Sequence, residues 1–240
     1  YTHMITELTT NCEYIDNPSK KILFEQLKEL SHDTLNFIYL GNKEYKDAWD
    51  IQKSLHEKVR NEELPSLVLY LEHNHVYTFG KNANKDFLLN SYPSDADVVD
   101  TDRGGQITYH GPGQLIGYPI INLQHYKKSV SWYMRSLEDV IILALEDFGI
   151  KANRKEGLTG VWVENNKICA MGVRLSKWTT MHGFALNNNP DMKYYDSMIP
   201  CGIFDYGVTS ILNILGDKVS NKKLISVLSS KFLEIFQRSN

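Results

Sequence analysis

The segment from residue 103 to 114, "RGGQITYHGPGQ", constrains the fold most, because it places four glycines in twelve positions between two strand-like runs. Glycine loses more conformational entropy on folding than other residues, so such a cluster marks positive φ angles or a close approach of backbone to a ligand. A tight hairpin needs only two such residues. The segment has neither the lysine of a phosphate-binding P-loop nor the G-x-G-x-x-G spacing. Its donors Arg103, Thr108, Tyr109 and His110 favour a ligand-facing loop over the alternative, a long hairpin connection.

The regular elements around this segment predict an α+β protein built on a mixed or mostly antiparallel sheet flanked by helices. Apolar residues at helical spacing predict helices over residues 20–30, 43–62, 129–149 and 221–236, with a short helical run in "SILNIL". Strand patterns cover residues 35–40, 66–72 and 115–123, followed by a meander over 160–165, 167–175 and 178–187. Asn165 and Asn166 are predicted to form the first hairpin turn of that meander.

Composition excludes several classes of protein. The chain has 240 residues, 42% hydrophobic and 23% charged, which suits one globular domain. A net charge of −3 gives no support for nucleic-acid binding. The longest apolar run, "VIILAL", is far too short to cross a bilayer, and no signal-peptide pattern opens the chain. We therefore expect a cytoplasmic protein with no membrane or nucleic-acid partner, in which the residues of "YTHM" before a native Met4 are a cloning remnant.

The cysteines and histidines do not form a recognisable metal motif. The three cysteines contain no CxxC pair, which argues against a disulfide framework and a zinc ribbon. In "EHNHVYTFG", His73 and His75 are predicted to share one face of a strand. Two histidines at that spacing can ligate a metal, but no third ligand is evident, so a structural or site-lining role is favoured. We expect neither a metal nor a cofactor.

Two cysteines are candidates for nucleophilic chemistry. In "NKICAMG", Lys167 and Cys169 lie two positions apart on a predicted strand and so face the same side. A neighbouring cation favours the nucleophilic thiolate. Because the strand pattern is that of a buried core, Cys169 is nevertheless interpreted as a buried hydrophobic residue. Cys201, between a proline and a glycine, lies on a predicted turn where a thiol is accessible, and local sequence leaves a nucleophile and an ordinary loop cysteine equally supported.

Four ordered stretches carry a family resemblance: "RGGQITYHGPGQLIGYPIINL", "GVWVENNKICAMGVRL", "MHGFALN" and "IPCGIFDYGVTSI". Together they resemble the octanoyltransferases, also called lipoyl(octanoyl) transferases or lipoate-protein ligases B, over residues 35–215. The resemblance implies a fold shared with biotin and lipoate protein ligases. It also implies transfer of an octanoyl group from octanoyl-acyl carrier protein to a lysine of a lipoyl domain, through an enzyme thioester. The acceptors implied are the E2 subunits of 2-oxoacid dehydrogenases and the glycine cleavage H protein.

The resemblance also assigns site residues. The acyl-bearing cysteine falls on Cys201 and its partner lysine on Lys167. The implied acyl pocket consists of Arg103, Gly104, Gly105, Gln106, Ile107, Thr108, Tyr109, His110, Ala170, Met171, Gly172, Gly183, Phe184 and Ala185, with His73 and His182 as possible lining residues. One departure is "HGFALNNN", where an apolar residue is expected among the last asparagines and the rim of the site is in question.

The resemblance divides the chain into an N-terminal extension with a helix, residues 1–34, and one catalytic domain, residues 35–240. Two alternatives stay open: an ATP-dependent lipoate or biotin ligase, which needs no cysteine, and a non-catalytic acyl- or lipoyl-binding module. If a transit peptide has been removed, the mitochondrial matrix or a plastid replaces the cytoplasm as the expected location.

Overall fold

The computed structural model describes residues 12–199 and 206–239. Its helices are α1 (Lys20–Leu27), α2 (Tyr45–Arg60), α3 (Val130–Asp147), α4 (Ile211–Leu215) and α5 (Asn221–Ile235). Its strands are β1 (Cys12–Tyr14), β2 (Asn36–Asn42), β3 (Leu67–Glu72), β4 (Val76–Phe79), β5 (Asp97–Asp100), β6 (Ile107–His110), β7 (Gln114–Ile120), β8 (Val161–Val163), β9 (Asn166–Ser176), β10 (Thr179–Asn187) and β11 (Gly207–Val208). Short 3-10 turns cover Lys85–Phe87, Leu123–His125 and Met192–Ser197.

The strands form one large mixed sheet and one small sheet. Within the described ranges, the large sheet has the order β1-β2-β3-β7-β10-β9-β11, with β8 paired to β9. The β1–β2, β2–β3 and β9–β11 pairs are parallel and the others are antiparallel. The small sheet has the order β5-β4-β6. This mixed sheet flanked by helices confirms the predicted fold class.

Helices cover both faces of the large sheet. Leu137 of α3 and Leu228 of α5 pack in one core cluster with Phe184 of β10. On the other face, Ile51 of α2 packs in a second cluster with Ile116 of β7. That second cluster also includes the buried Leu23 and Leu27 of α1, and β1 extends the sheet beside β2. The described part of the N-terminal segment, residues 12–34, is thus packed into the same sheet and core.

Helix boundaries follow the capping chemistry of the sequence. The Ser129 hydroxyl accepts a hydrogen bond from the backbone N–H of Trp132 at the start of α3, and Gly149 adopts a positive φ of 78° just after its end. Helix α1 stops at Leu27, three residues before the predicted end. Among the described residues, no helix is long and apolar enough to cross a membrane.

The hairpin turn of the meander lies one residue earlier than predicted. Val163 pairs directly with Asn166, which leaves Glu164 and Asn165 as the two turn residues. Glu164 carries the positive φ of 53°, and Asn166 is already part of β9. The prediction of Asn165 and Asn166 as the turn is therefore wrong, because strand pairing and not asparagine content decides which residues turn.

Two segments that were each predicted as a single element are divided in the structure. The glycine-rich segment contains strand β6, whose alternating "ITYH" pairs with β4. Conversely, His73 and His75 lie in the connection between β3 and β4, so the prediction that they share a strand face is wrong. The chain must leave the large sheet and enter the small one between Glu72 and Val76, which interrupts the strand there.

Candidate active site

Small residues on two adjacent strands create a shallow surface on the large sheet. Ala185 of β10 pairs with Ala170 of β9, and Gly183 pairs with Gly172. A Cβ at Gly172 would lie 2.9 Å from the carbonyl oxygen of Gly104, so only glycine lets the two backbones approach this closely. The glycine-rich segment thus lies directly against β9.

Arg103 holds that segment in shape. Its side chain is almost completely buried. The guanidinium donates to Thr78 O at 2.7 Å, Thr78 Oγ1 at 2.8 Å, Gln106 O at 3.0 Å and Gly104 O at 2.8 Å. The segment wraps around this charged group, and Gly105 makes the bend with a positive φ of 86°. The glycines therefore serve a close backbone approach to β9 as well as tight turning.

A first cavity, here called the histidine cavity, lies between β9–β10, β6 and α2. The space between its lining atoms is about 310 Å³, part of which is open to solvent. Its lining residues are Tyr45, Arg103, Thr108, His110, Tyr118, Ala170, Met171, Gly172, His182, Gly183, Phe184 and Ala185. All of these except Tyr45 and Tyr118 were predicted from sequence. The structure therefore brings three distant stretches of the chain around one space.

In a second cavity, here called the lysine cavity, the space between the lining atoms is about 920 Å³, part of which is open to solvent. It is lined by Ile107, Thr108, Tyr109, Trp162, Lys167, Ala170, Asn187, Tyr195, Met198, Ile199, Tyr206, Gly207 and Val208. Thr108 and Ala170 line both cavities. The two spaces are therefore neighbours on the same sheet surface, with Lys167 at one end and His182 toward the other.

Lys167 lies on β9 beside the second cavity. Its Nζ is 5.0 Å from the centroid of the Trp162 ring, a cation–π distance. Its backbone carbonyl accepts a hydrogen bond from the N–H of Thr209 at 2.9 Å, and Val208 pairs with it across the β9–β11 ladder. The chain that returns from position 201 is thus fixed alongside Lys167 from Gly207 onward.

Cys169 is part of the core, as the sequence predicts. It is fully buried, and burial raises the pKa of its thiol well above the usual value, although Lys167 acts in the opposite direction. Its thiol therefore stays protonated at neutral pH. Cys201, the predicted nucleophile, lies outside the described residues. Ile199 and Tyr206, the described residues on either side of it, both line the lysine cavity.

The buried histidines His73 and His110 are neutral at pH 7. His73 Nδ1 donates to Lys43 O at 2.6 Å, and its Nε2 accepts from the Tyr118 hydroxyl at 2.7 Å. Burial lowers the pKa of His73 to about 4. Burial likewise lowers the pKa of His110, whose Nδ1 is 2.7 Å from Gln114 Oε1, well below its usual value.

Several predicted residues lie behind the cavity walls. Gly104, Gly105 and Gln106 shape the glycine-rich segment without lining either cavity, and Gln106 Oε1 accepts from the backbone N–H of Asn84 at 2.9 Å. His73 is in a second layer, 5.7 Å from the ring of His110. His75 instead stacks on Tyr194 at 4.0 Å, away from His73's partners. Within residues 12–199 and 206–239, no cluster of three potential metal ligands occurs.

Two asparagines of the run at residues 187–189 have distinct hydrogen-bonding roles in the structure. Asn187 lines the lysine cavity and its Nδ2 donates to Thr209 O at 3.1 Å. Asn188, in the same run, is buried and lines neither cavity. Its Nδ2 donates to Val219 O at 2.6 Å and its Oδ1 accepts from Val219 N–H at 3.0 Å. Asn188 therefore fastens the α4–α5 connection, while Asn187 of the same run lines the lysine cavity.

Solved structures with the same fold are lipoate protein ligases. A putative lipoate protein ligase from Thermoplasma acidophilum superposes with a TM-score of 0.64 at 13% identity, covering 85% of each chain. A lipoate-protein ligase A bound with ATP gives a TM-score of 0.61 at 12% identity, covering 87% of this chain and 89% of the other. At these identities the likeness concerns the fold alone.

Sequence relatives define the family. Residues 44–233 match the lipoyl protein ligase A/B catalytic domain, so fold and sequence place the chain in that class of enzymes. The chain is 43% identical to the octanoyltransferase of Christiangramia forsetii over 82% of its length and 94% of the relative's. It is 43% identical to a chloroplastic octanoyltransferase of Arabidopsis thaliana over 80% and 75% of the respective chains. The chain therefore belongs to the octanoyltransferase family and is an acyltransferase, which confirms the resemblance read from its motifs.

Proposed function

We propose that this acyltransferase moves an octanoyl group from acyl carrier protein to a lysine of a lipoyl domain through a thioester on Cys201. Lipoyl domains of 2-oxoacid dehydrogenase E2 subunits and the glycine cleavage H protein are the proposed acceptors. Residues 35–240 form the proposed catalytic domain, with the described part of segment 1–34 packed against it. The proposed location is the cytoplasm, or a plastid as in the plant relative.

One observation carries this proposal: Lys167 lines the same cavity as the residues that flank the Cys201 segment. Ile199, two positions before Cys201 in the sequence, lines this cavity. On the other side, Tyr206 lines the cavity and Gly207 pairs with Asn166, next to Lys167. Both ends of the segment are therefore anchored around the lysine, which supports Cys201 as its partner.

Lys167 would act first as a charge and then as a base. An ammonium about 4 Å from a thiol sulfur contributes roughly 1 to 4 kcal/mol toward the thiolate at effective dielectric constants of 80 to 20. That contribution lowers the thiol pKa by about one to three units. Cys169 lacks this benefit because complete burial outweighs the same cation.

The reaction divides into two balanced steps. In the first, the Cys201 thiolate forms a bond to the acyl carbon, the carrier's thiolate leaves, and the Lys167 ammonium gives that thiolate a proton. In the second, the amine of the acceptor lysine forms the amide bond and the Cys201 thiolate leaves. The now neutral Lys167 takes the proton that the amine loses. Because the first step exchanges one thioester for another, it needs no ATP and no cofactor.

We place the acyl chain in the histidine cavity, along Ala170 to Gly172 and Gly183 to Ala185 and under residues 103–110. The small side chains of Ala170 and Ala185 leave room above the sheet for a linear hydrocarbon. Thr108 and Ala170, which line both cavities, connect this space to Lys167. The acyl carbonyl then lies near the lysine and the hydrocarbon extends toward His182.

Mass spectrometry of the intact enzyme tests the proposal. After incubation with octanoyl-acyl carrier protein and removal of the donor, we expect one octanoyl adduct, located by peptide mapping on Cys201. The Cys169→Ala enzyme should form the same adduct. An adduct on Cys169, or none on the enzyme while the acceptor is still modified, contradicts a Cys201 thioester.

A further inference from the structure

The distal end of the histidine cavity is polar, although the chain proposed to occupy it is a hydrocarbon. On β9, Ala170, which lines both cavities, and Gly172 are two positions apart, about 7 Å at roughly 3.3 Å per residue. At Gly172 the glycine-rich segment crosses the strand, and Gly104 N–H donates to Val173 O at 3.0 Å. His182, which pairs with Val173, lines the cavity at this point. The surface available to an acyl chain therefore ends at an imidazole.

His182 is held there in an unusual backbone conformation. It has a positive φ of 57° in the middle of β10, which an L-residue keeps only where its surroundings enforce it. Its backbone N–H donates to Gln52 Oε1 at 2.8 Å, and its Nε2 donates to Asp102 Oδ1 at 2.7 Å. The other Asp102 oxygen accepts from Arg174 Nη1 at 2.5 Å. These bonds fix both the ring and its tautomer, which leaves Nδ1 as a hydrogen-bond acceptor.

Three polar atoms around this point lack partners. His182 Nδ1, Trp49 Nε1 and Gln52 Nε2 are buried with no hydrogen-bond partner in the part of the chain that the structure describes. The rings of Trp49 and His182 are 6.0 Å apart, and Gln52 contacts the His182 backbone, so the three belong to one cluster, in which His182 lines the cavity while Trp49 and Gln52 lie behind it. A hydrocarbon that reaches His182 offers its Nδ1 no hydrogen bond, so this end of the cavity keeps a buried polar atom unsatisfied.

We propose that His182, held by Asp102 and Gln52, is a polar stop that sets the upper limit of acyl-chain length. This inference rests on the proposed placement of the acyl chain in the histidine cavity. An eight-carbon chain gains from burial along Ala170 and Gly172. Additional methylenes reach His182, whose Nδ1 they leave without a hydrogen bond, so burial there no longer stabilises the complex. Selectivity against longer chains then comes from chemistry at His182.

The competing explanation is steric closure by the rings of Tyr45 and Tyr118, which also line the cavity. Two substitutions separate these explanations, because both glycine and asparagine tolerate a positive φ. His182→Gly removes the polar ring and opens space. His182→Asn opens part of that space but keeps a polar side chain. A polar stop is lost in the first variant and retained in the second.

The test measures binding and not transfer. Calorimetry gives Kd values of octanoyl-pantetheine and decanoyl-pantetheine for the full chain carrying Cys201→Ala. We expect the parent to prefer the octanoyl ligand. Adding His182→Gly should shift the Kd ratio by about tenfold toward the decanoyl ligand, the gain from burying two more methylenes. Adding His182→Asn should shift the ratio by less than about threefold.

His56 provides a matched control. It is a buried histidine of the same α2–β10 interface, its Nε2 donates to Thr179 O at 2.9 Å, and it lines neither cavity. His56→Gln should leave the ratio unchanged. Any of three results overturns the polar stop. These are equal shifts of the Kd ratio in the glycine and asparagine variants, an unchanged ratio in the glycine variant, or no binding of either ligand to the parent. If the Cys201→Ala chain binds the two ligands selectively but the wild type forms no acyl-enzyme, the transfer proposal is contradicted and the polar stop is not.

Discussion

The two cavities share Thr108 and Ala170 yet differ in what surrounds them. The histidine cavity is enclosed by residues whose polar groups are tied into a dense hydrogen-bond network, with Arg103 and His110 as examples. The lysine cavity is about three times larger and is walled by Trp162, Tyr109 and aliphatic side chains. The two regions therefore differ in size and in how closely their polar side chains are bonded to one another.

Because of this difference, we expect substitutions in the two cavities to change different properties of the enzyme. In the histidine cavity, charges and imidazoles hold the backbone in position, so substitutions there should change folding free energy, pH dependence or chain-length preference. In the lysine cavity, Lys167 lies beside the ends of the Cys201 segment, so substitutions there should change the rate of acyl transfer. For each substitution below, the measurement shows whether it changes only the property expected for its own cavity.

The largest expected effect contrasts two cysteines. Cys201→Ala should abolish transfer of octanoyl groups to a lipoyl domain, because no other thiol takes its place as nucleophile. Cys169→Ala should retain transfer and lower the free energy of unfolding by about 1 kcal/mol, as for a typical buried substitution. Acceptor mass and denaturant unfolding report the two effects. A transfer-competent Cys201→Ala enzyme would contradict the assignment.

Next in size is the loss of the cation. In Lys167→Met the Cys201 thiol should return toward its ordinary pKa, so its alkylation by iodoacetamide at neutral pH should slow by about tenfold or more. Lys155→Met is the matched control, since Lys155 Nζ is 5.1 Å from the Tyr206 ring centroid at the edge of the same cavity. Its alkylation rate should change less than about twofold. Equal rates in all three enzymes would show that Lys167 does not activate the sulfur.

Two arginine substitutions test how far charged side chains stabilise the region around the histidine cavity. Arg103→Met leaves buried carbonyls of Thr78 and Gln106 without their charged donor and should reduce unfolding free energy by about 3 kcal/mol. Arg174→Met removes a half-exposed pair with Asp102 and should cost less than about 1 kcal/mol. Denaturant unfolding of both variants measures the difference. Similar losses would mean that the guanidinium of Arg103 does not hold the glycine-rich segment.

A smaller effect depends on pH. The folded-state pKa of His73 is lowered to about 4 from an ordinary 6.5, so the unfolded chain binds the proton first as the pH falls. Stability from this group is complete above pH 6.5 and declines as the pH falls toward 4. Between pH 6.5 and 5 the wild type should lose about 2 kcal/mol more than His73→Phe. Parallel stability curves for the two chains would contradict a neutral, buried His73.

Sequence patterns predicted most of the fold and part of the site. The helices and the strands of the meander follow from apolar spacing and capping, because these signals are local. The lining residues on β6, β9 and β10 followed from motif resemblance. Tyr45 and Tyr118 were missed, since each reaches the histidine cavity from an element that only tertiary packing brings there. The strained φ of His182 has no sequence signal, because a histidine in a strand pattern predicts ordinary extended backbone.

The most direct measurement of the central claim separates the two half-reactions. The enzyme is incubated with octanoyl-acyl carrier protein, freed of donor, and then mixed with an apo lipoyl domain in the absence of ATP and Mg²⁺. We predict that the Cys201 adduct survives removal of the donor and that its loss matches the gain of octanoyl on the lipoyl domain. Modification that requires ATP and free octanoate, with no acyl-enzyme in between, would contradict the account.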